Sequence, residues 1–125
     1  TLMFRDGEPY GACGTPGGDQ QDQWGAVFFL RHIHHNMNLQ SAIDAAMFHK
    51  DHMPSSFFPR EAKPGSLTLE ARFDASVQQE LIRRGHGVQV VDGWSLGRLS
   101  AVSKTGPILR AAANPRYMQG YAFGR

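Results

Sequence analysis

The chain has 125 residues, of which 41% are hydrophobic and 19% are charged. This length suits one ordinary domain, and the composition excludes a disordered chain or a long coiled coil. The longest uncharged apolar run, Trp24 to Leu30, is too short to cross a bilayer. The net charge of +2 is too small for a general nucleic-acid binder.

Basic residues predominate toward the C-terminus, because no acidic residue follows Asp92. The basic residues of this region are Arg98, Lys104, Arg110, Arg116 and Arg125. We interpret them as solvated strand edges, with a binding surface for an acidic substrate or partner as the alternative. Cys13 is the only cysteine, so an internal disulfide is excluded and the compartment, cytoplasmic or exported, stays undetermined.

The first predicted element is a β-hairpin. Thr1 to Phe4 and Tyr10 to Cys13 have the composition of strands, and the Asp6-Gly7 pair between them is a hairpin signal. The next segment, Gly14-Thr15-Pro16-Gly17-Gly18, is predicted to be a loop, because its glycines permit backbone angles that other residues avoid.

A helix is predicted from Asp19, whose carboxylate suits the first turn, to about His35. Its apolar residues fall on two stripes, and a helix that is apolar on most of its circumference is expected to be buried on two sides. This pattern indicates either a layered architecture or a surface that another chain covers. The first stripe contains Trp24, Val27, Phe28 and Arg31, and the second contains Ala26, Phe29, Leu30 and Ile33.

A second helix is predicted after Asn38, which can cap it. Its inward positions follow helical spacing and are Leu39, Ala42, Ile43, Ala46 and Met47. The proline-rich stretch from Pro54 to Pro64 is predicted to be a loop. Leu67 to Phe73 then alternates apolar and polar residues, which predicts a half-buried strand.

A third helix is predicted from its cap Asp74 to the C′ residue Gly85, with Val77, Leu81 and Ile82 facing inward. Three strands are predicted to follow, at Val88 to Val91, Gly97 to Ser103 and Ile108 to Ala113, before a polar and aromatic tail. Consecutive strands favour an antiparallel sheet over βαβ units. The sequence therefore predicts an α+β fold with helices covering one face of a sheet.

The glycine loop is the strongest candidate site, because it precedes a helix N-terminus with unpaired N–H groups and partial positive charge. Such a place can bind a phosphate, a carboxylate or a developing oxyanion. No Gly-Lys-Ser/Thr follows, so it is not a P-loop. On this pattern alone, the alternative that Gly17 and Gly18 only permit a tight turn stays open.

Three segments together resemble the gamma-glutamyltranspeptidase family, and this resemblance spans essentially the whole chain. Residues 13–21, Cys-Gly-Thr-Pro-Gly-Gly-Asp-Gln-Gln, are similar to its Gly-Thr/Ser-Pro-Gly-Gly segment. Residues 38–49 resemble the helix that follows, and 111–122 resemble its C-terminal Asp/Asn-Pro-Arg segment. One departure is Ala46-Met47-Phe48-His49, where the family often has a proline and an arginine.

The resemblance implies part of an N-terminal-nucleophile hydrolase, a four-layer αββα sandwich made by self-cleavage of a precursor. Family members transfer the gamma-glutamyl group of compounds such as glutathione to water or an amino acid, and related members are acylases. By resemblance, Gly17 and Gly18 supply oxyanion-hole N–H groups, and no metal or organic cofactor is implied. The expected partners are the large subunit and the N-terminal part of the small subunit.

The resemblance also bears on Thr1, since the family's nucleophile is an N-terminal threonine. Thr1 matches the strand before the glycine loop and not the nucleophile segment, so we interpret it as a truncation point. We therefore expect residues 1–125 to be the C-terminal segment of a small subunit, inactive alone. The acyl donor and acceptor, and the choice between transpeptidase, hydrolase and acylase, stay open.

Two other patterns are given structural interpretations. The pairs His32/His35 and His49/His52 are each three residues apart and could ligate zinc, but no Cys cluster or carboxylate in a recognised zinc spacing accompanies them. We therefore expect them to be polar residues at helix ends. The aromatic residues, including Tyr117, are expected in the core or at an interface, because interleaved Lys and Arg for nucleic-acid stacking are missing. An alternative function is a stand-alone module that binds an anion or a partner without catalysis.

Overall fold

The computed structural model describes residues 1–118 and 120–123, which form two compact units. Unit 1 contains Thr1–Ala45 and the described residues from Gly97 onward, and unit 2 contains Ala46–Leu96. Within the described ranges, no helix is long and apolar enough to cross a membrane.

The elements follow one another in an α+β order that matches the predicted one apart from one short strand. In chain order they are β1 (Leu2–Arg5), β2 (Glu8–Gly14), α1 (Gln20–Phe29), α2 (Leu39–Asp44), β3 (Phe48–His49), β4 (Ser66–Glu70), α3 (Ala75–Arg83), β5 (Gly87–Val91), β6 (Ser100–Thr105) and β7 (Ile108–Ala113). A π-helical turn at Leu30–His34 extends α1, and a 3₁₀ turn at Arg116–Met118 follows β7.

Unit 1 is built on a four-stranded antiparallel sheet with the order β1-β2-β6-β7. One face of the sheet is buried, and its buried residues are Met3, Cys13, Ala101, Ser103 and Ala112. Helix α1 contacts β2, and α2 contacts β6 and β7. The helices contribute Trp24, Phe28, Leu39, Ala42 and Ile43 to the same core. The predicted hairpin and helix-covered antiparallel sheet are therefore confirmed.

Helix α1 is buried on one stripe only. Trp24 and Phe28 of the first stripe are buried, whereas Phe29 and Leu30 of the second are 37% and 49% exposed. Asp19 occupies the N-cap position, but its side chain makes no capping hydrogen bond. Asn38 does cap α2 as predicted, because its Oδ1 accepts a 2.8 Å hydrogen bond from the Ser41 N–H.

Helix α2 is shorter than predicted. It ends at Asp44, and Ala45 has an extended ψ of 147°, so Ala46 and Met47 lie beyond the helix. Met47 is nevertheless fully buried, within unit 2. Met47 is therefore apolar because it is buried, and not because it belongs to the apolar face of a helix.

Unit 2 contains a three-stranded sheet with the order β3-β4-β5, in which β4 pairs antiparallel with β3 and parallel with β5. The expectation of a sheet without βαβ units was wrong here, since α3 connects the parallel strands β4 and β5. The expectation of a half-buried strand was also wrong, because Thr68, Leu69 and Glu70 are all buried. A central strand is covered on both faces, which removes the alternation.

Helix α3 has no fully buried residue; of the inward positions predicted for it, Leu81 is half-buried, whereas the prediction was wrong for Val77 and Ile82. Val77 is 42% exposed and Ile82 is 57% exposed. The strand that α3 mainly contacts is β5, at one edge of the sheet. Gly85 is confirmed as the residue after the helix, with a φ of +91° and a 2.9 Å hydrogen bond from its N–H to the Ile82 carbonyl.

The buried carboxylate of Glu70 joins three parts of unit 2. Its Oε2 accepts hydrogen bonds from the Met47 N–H at 3.0 Å and from Arg72 at 2.6 Å, and its Oε1 accepts from the Leu96 N–H at 2.9 Å. The Arg72 guanidinium also stacks on Trp94, with 3.7 Å between Cζ and the ring centroid. A charge taken out of water is tolerated only with such complete pairing.

We therefore predict that Glu70→Ala destabilises the protein by about 3 kcal/mol, because it leaves a cation and two buried N–H groups without their acceptor. Urea denaturation measures this change. The matched control is Glu80→Ala on α3, where an exposed carboxylate pairs with Arg83 and Arg84 and little change is expected. Equal shifts in the two variants would contradict the role given to Glu70.

Candidate functional site

The glycine loop connects β2 to the N-terminus of α1, as predicted. Gly17 and Gly18 have φ angles of +142° and +59°, in the region that favours glycine. Their carbonyls turn toward the helix, where Gly17 accepts from the Gln20 N–H at 3.3 Å and Gly18 from the Gln21 N–H at 3.1 Å. These contacts fix the direction of the two peptide groups at the start of α1.

Gly17 is required at its position for a second reason, the close approach of Trp24. A Cβ atom added to Gly17 would lie 2.5 Å from Trp24 Cζ3, closer than side chains tolerate. Trp24 is buried in the core of unit 1, so the ring has little room to retreat. Trp24, which belongs to the first predicted apolar stripe of the helix, thus packs against the loop at Gly17.

The N–H groups of Gly17 and Gly18 do not donate to any acceptor within the described residues. Gly18 is exposed and Gly17 is half-buried. The two donors lie at the positive end of the α1 dipole, where a negative charge is stabilised. The loop can therefore accept an anion or a developing oxyanion without losing an internal hydrogen bond.

A cavity of about 140 Å³ adjoins the first half of this loop, within unit 1. It is lined by Gly14, Thr15, Pro16, Arg98, Ser100, Asn114, Arg116 and Gly120. No acidic residue is present among these described lining residues. Two arginines in an acid-free lining give the cavity a positive character.

The buried pair Asn114 and Arg116 was not predicted from the sequence. The solvated interpretation of the basic residues was wrong for Arg116, which is only 2% exposed, whereas Lys104 and Arg110 are exposed as expected. Arg125 lies outside the described residues. The Asn-Pro-Arg motif was the available signal, but only the tertiary structure shows that it is buried.

His32 and Thr1 have local partners in unit 1, and in unit 2 the His52 Nδ1 accepts a 3.0 Å hydrogen bond from the Gly65 N–H. His32 Nδ1 lies 2.7 Å from the Met37 carbonyl, to which it must donate, and its Nε2 lies 2.7 Å from the Tyr10 hydroxyl. The Thr1 ammonium donates to the Cys13 carbonyl at 2.9 Å. Among the described residues, no group of three metal-ligating side chains is present.

Two titratable groups are shifted by burial. Burial raises the pKa of the Cys13 thiol, so Cys13 is a poor nucleophile at neutral pH. Burial lowers the pKa of His49, although the Asp51 carboxylate 3.8 Å away opposes this shift. Each shift favours the uncharged form of its group at neutral pH.

Comparison with known proteins identifies the family. The sequence profile described as gamma-glutamyltranspeptidase matches residues 1–124, which is nearly the whole chain. This chain belongs to the gamma-glutamyltranspeptidase family. Its α+β fold is shared with solved gamma-glutamyltranspeptidases, so the predicted α+β class is confirmed.

Individual relatives agree with this assignment. The chain is 39% identical over 56 residues to a protein named glutathione hydrolase proenzyme from Pseudomonas sp. (strain A14), a match that covers 45% of this chain and 10% of that protein. It is 53% identical to a solved structure designated LmbA2991HD, with a TM-score of 0.92, covering 99% of this chain and 23% of that one. The gamma-glutamyltranspeptidase of Pseudomonas nitroreducens, complexed with L-DON, shares the fold at 23% identity and a TM-score of 0.75.

The chain covers only part of each of these proteins. The match to the Pseudomonas nitroreducens chain includes 100% of the present chain and 59% of that one. A cephalosporin acylase from Bacillus halodurans is 25% identical with a TM-score of 0.76, over 92% of this chain and 20% of that one. The fold of the family is therefore larger than the part described by these residues.

Proposed function

We propose that this chain is the C-terminal part of the small subunit of a gamma-glutamyltranspeptidase-like enzyme, which transfers or hydrolyses gamma-glutamyl groups of glutathione-like substrates. The observation that carries the proposal is the glycine loop at the N-terminus of α1, where two adjacent N–H groups have no acceptor among residues 1–118 and 120–123. Family membership and the relative named glutathione hydrolase proenzyme support the substrate class.

In this proposal, Gly17 and Gly18 form the oxyanion hole. Attack on the amide carbonyl of the substrate places a negative charge on its oxygen, and preorganised N–H donors stabilise that charge without further rearrangement. Two contacts support this arrangement: Trp24 closely approaches Gly17, and the Gln20 contact to the Gly17 carbonyl fixes the peptide group that carries the Gly18 N–H. One such donor typically contributes about 10²–10³ in rate.

The nucleophile in this proposal comes from the part of the enzyme that lies outside residues 1–125. Thr1 is paired with Cys13 as an extension of the β1–β2 hairpin, which is a structural position and not that of a base-activated hydroxyl. Cys13 is buried with a raised pKa and does not suit the role either. The remainder of the precursor is therefore the proposed partner of this chain.

We predict that Gly18→Pro in the full-length enzyme lowers turnover at least about 10²-fold, because proline removes the N–H donor and cannot adopt a φ of +59°. Turnover of gamma-glutamyl-p-nitroanilide measures this effect. The matched control is Gly18→Ala, which keeps the N–H group and for which we expect a much smaller loss. Near-normal turnover in a folded, self-cleaved Gly18→Pro enzyme would show that the Gly18 N–H has no catalytic role.

We also predict that the isolated 125-residue chain does not hydrolyse gamma-glutamyl-p-nitroanilide, because it supplies oxyanion donors but no nucleophile. The measurement is release of p-nitroaniline by the purified chain. The control is the Thr1→Ala chain, expected to give the same background rate. Turnover that disappears in the Thr1→Ala chain would make Thr1 a nucleophile and contradict the proposal.

The sheet face of unit 1 that points away from its helices is apolar and exposed. Leu2, Ala12, Val102 and Ala111 pair in register across all four strands, and this cross-strand row lines a groove of about 760 Å³. Leu2 is 74% exposed and Val102 is 51% exposed. Contiguous apolar surface of this kind is uncommon on soluble monomers, and the free edges β1 and β7 can pair with further strands.

We therefore predict that the isolated chain self-associates at micromolar concentration. Light scattering measures the particle mass, and binding of a hydrophobic dye measures the exposed apolar surface. Val102→Lys, which introduces a charge at the centre of the cross-strand row, is expected to reduce association, whereas Lys104→Arg serves as the control. A monomeric wild-type chain that binds no dye would instead favour the stand-alone anion- or partner-binding module.

A further inference from the structure

The Arg98 side chain is the feature of unit 1 that the proposed oxyanion hole leaves unused. Its Nε is buried, yet none of its N–H groups donates to an acceptor within the described residues. The Tyr117 ring lies 4.7 Å from its Cζ and supports the guanidinium face, but an aromatic ring does not replace a hydrogen-bond acceptor at Nε. A buried charged donor without an acceptor is costly, which points to a ligand that accepts there.

The cavity beside Arg98 has the lining that such a ligand requires. Its other arginine, Arg116, donates its Nη groups to the Ile43 carbonyl at 3.0 Å and the Ala45 carbonyl at 3.4 Å. Asn114 Oδ1 already accepts from the Arg116 N–H. The described lining therefore contains no carboxylate that could pair with the Arg98 guanidinium. Ser100 adds a hydroxyl group to the lining.

The size of the cavity limits the ligand to a small group. About 140 Å³ corresponds to roughly four or five water molecules at ≈ 30 Å³ each. A carboxylate on a short stem fits this space, and its two oxygens match Nε and one Nη of a guanidinium in a bidentate pair. A monoanion also balances one available cation, whereas a phosphate dianion would bring excess charge.

We propose that this cavity binds a carboxylate, with Arg98 as its counter-ion. The site adjoins the Gly14-Thr15-Pro16 side of the glycine loop and differs from the oxyanion donors Gly17 and Gly18. The carboxylate belongs either to a free small molecule or to a side chain of the protein outside residues 1–125. The inference does not depend on the proposed function, because binding and stability are measured without turnover.

The experiment uses the full-length protein at constant ionic strength, with acetate as the probe and acetamide as its uncharged analogue. Isothermal titration calorimetry measures affinity, and thermal denaturation measures stability. The variants are Arg98→Met and the control Arg110→Met, which removes an exposed arginine from β7 of the same sheet. Inorganic phosphate serves as a third probe.

For a free ligand we expect acetate but not acetamide to bind, and Arg98→Met to weaken acetate at least about tenfold while Arg110→Met does not. For a carboxylate of the protein itself, we expect no acetate binding but a lower Tm in Arg98→Met than in Arg110→Met, with Arg98→Lys in between. Identical behaviour of Arg98→Met and Arg110→Met in both measurements would overturn the proposal. Tighter binding of phosphate than acetate would overturn the assignment to a carboxylate.

Discussion

The buried hydrogen bonds of Asn114 and Arg116 are the constraint on which unit 1 depends. The Asn114 amide donates to the Gly97 carbonyl and its Oδ1 accepts from the Arg116 N–H at 2.6 Å, which fixes the chain after β7. The Arg116 guanidinium donates to the carbonyls of Ile43 and Ala45. The last carbonyls of a helix lack intrahelical partners, so a cation there satisfies both the hydrogen bonds and the dipole of α2.

The same two residues connect the packing of unit 1 to its candidate site. Asn114 and Arg116 form one side of the 140 Å³ cavity, and the Gly14-Thr15-Pro16 segment forms another. Because both side chains are nearly inaccessible and bonded to backbone groups, they form a rigid wall. Arg98, by contrast, has donors without a described acceptor. The cavity thus contains two polar side chains that stabilise the fold, Asn114 and Arg116, and one, Arg98, that we propose as the ligand-binding group.

The features that the sequence predicted are those encoded by neighbouring residues. The Asp6-Gly7 turn, the Asn38 cap, the glycine loop and the bounds of β7 each follow from local chemistry. The burial of Glu70 and Arg116 could not be predicted, because their partners Leu96 and Ile43 are distant in sequence. Charged residues are almost never fully buried unless they are paired, and the pairing is a tertiary property. The cavity beside Arg98 escaped prediction for the same reason.

In unit 1, the polar groups are largely hydrogen-bonded, whereas part of the apolar surface stays exposed. The carbonyls of Ile43 and Ala45 and the Asn114 amide have partners inside the unit, so the chain itself specifies the local geometry. By contrast, Leu2 and Val102 on the outer sheet face are not buried, since more than half of the surface of each is exposed. Hydrophobic burial is the dominant favourable term in folding, and it scales with the area removed from water. The hydrogen bonds therefore determine the shape of the loop and its cavity, whereas much of the stability of that shape depends on what covers the open face of the sheet.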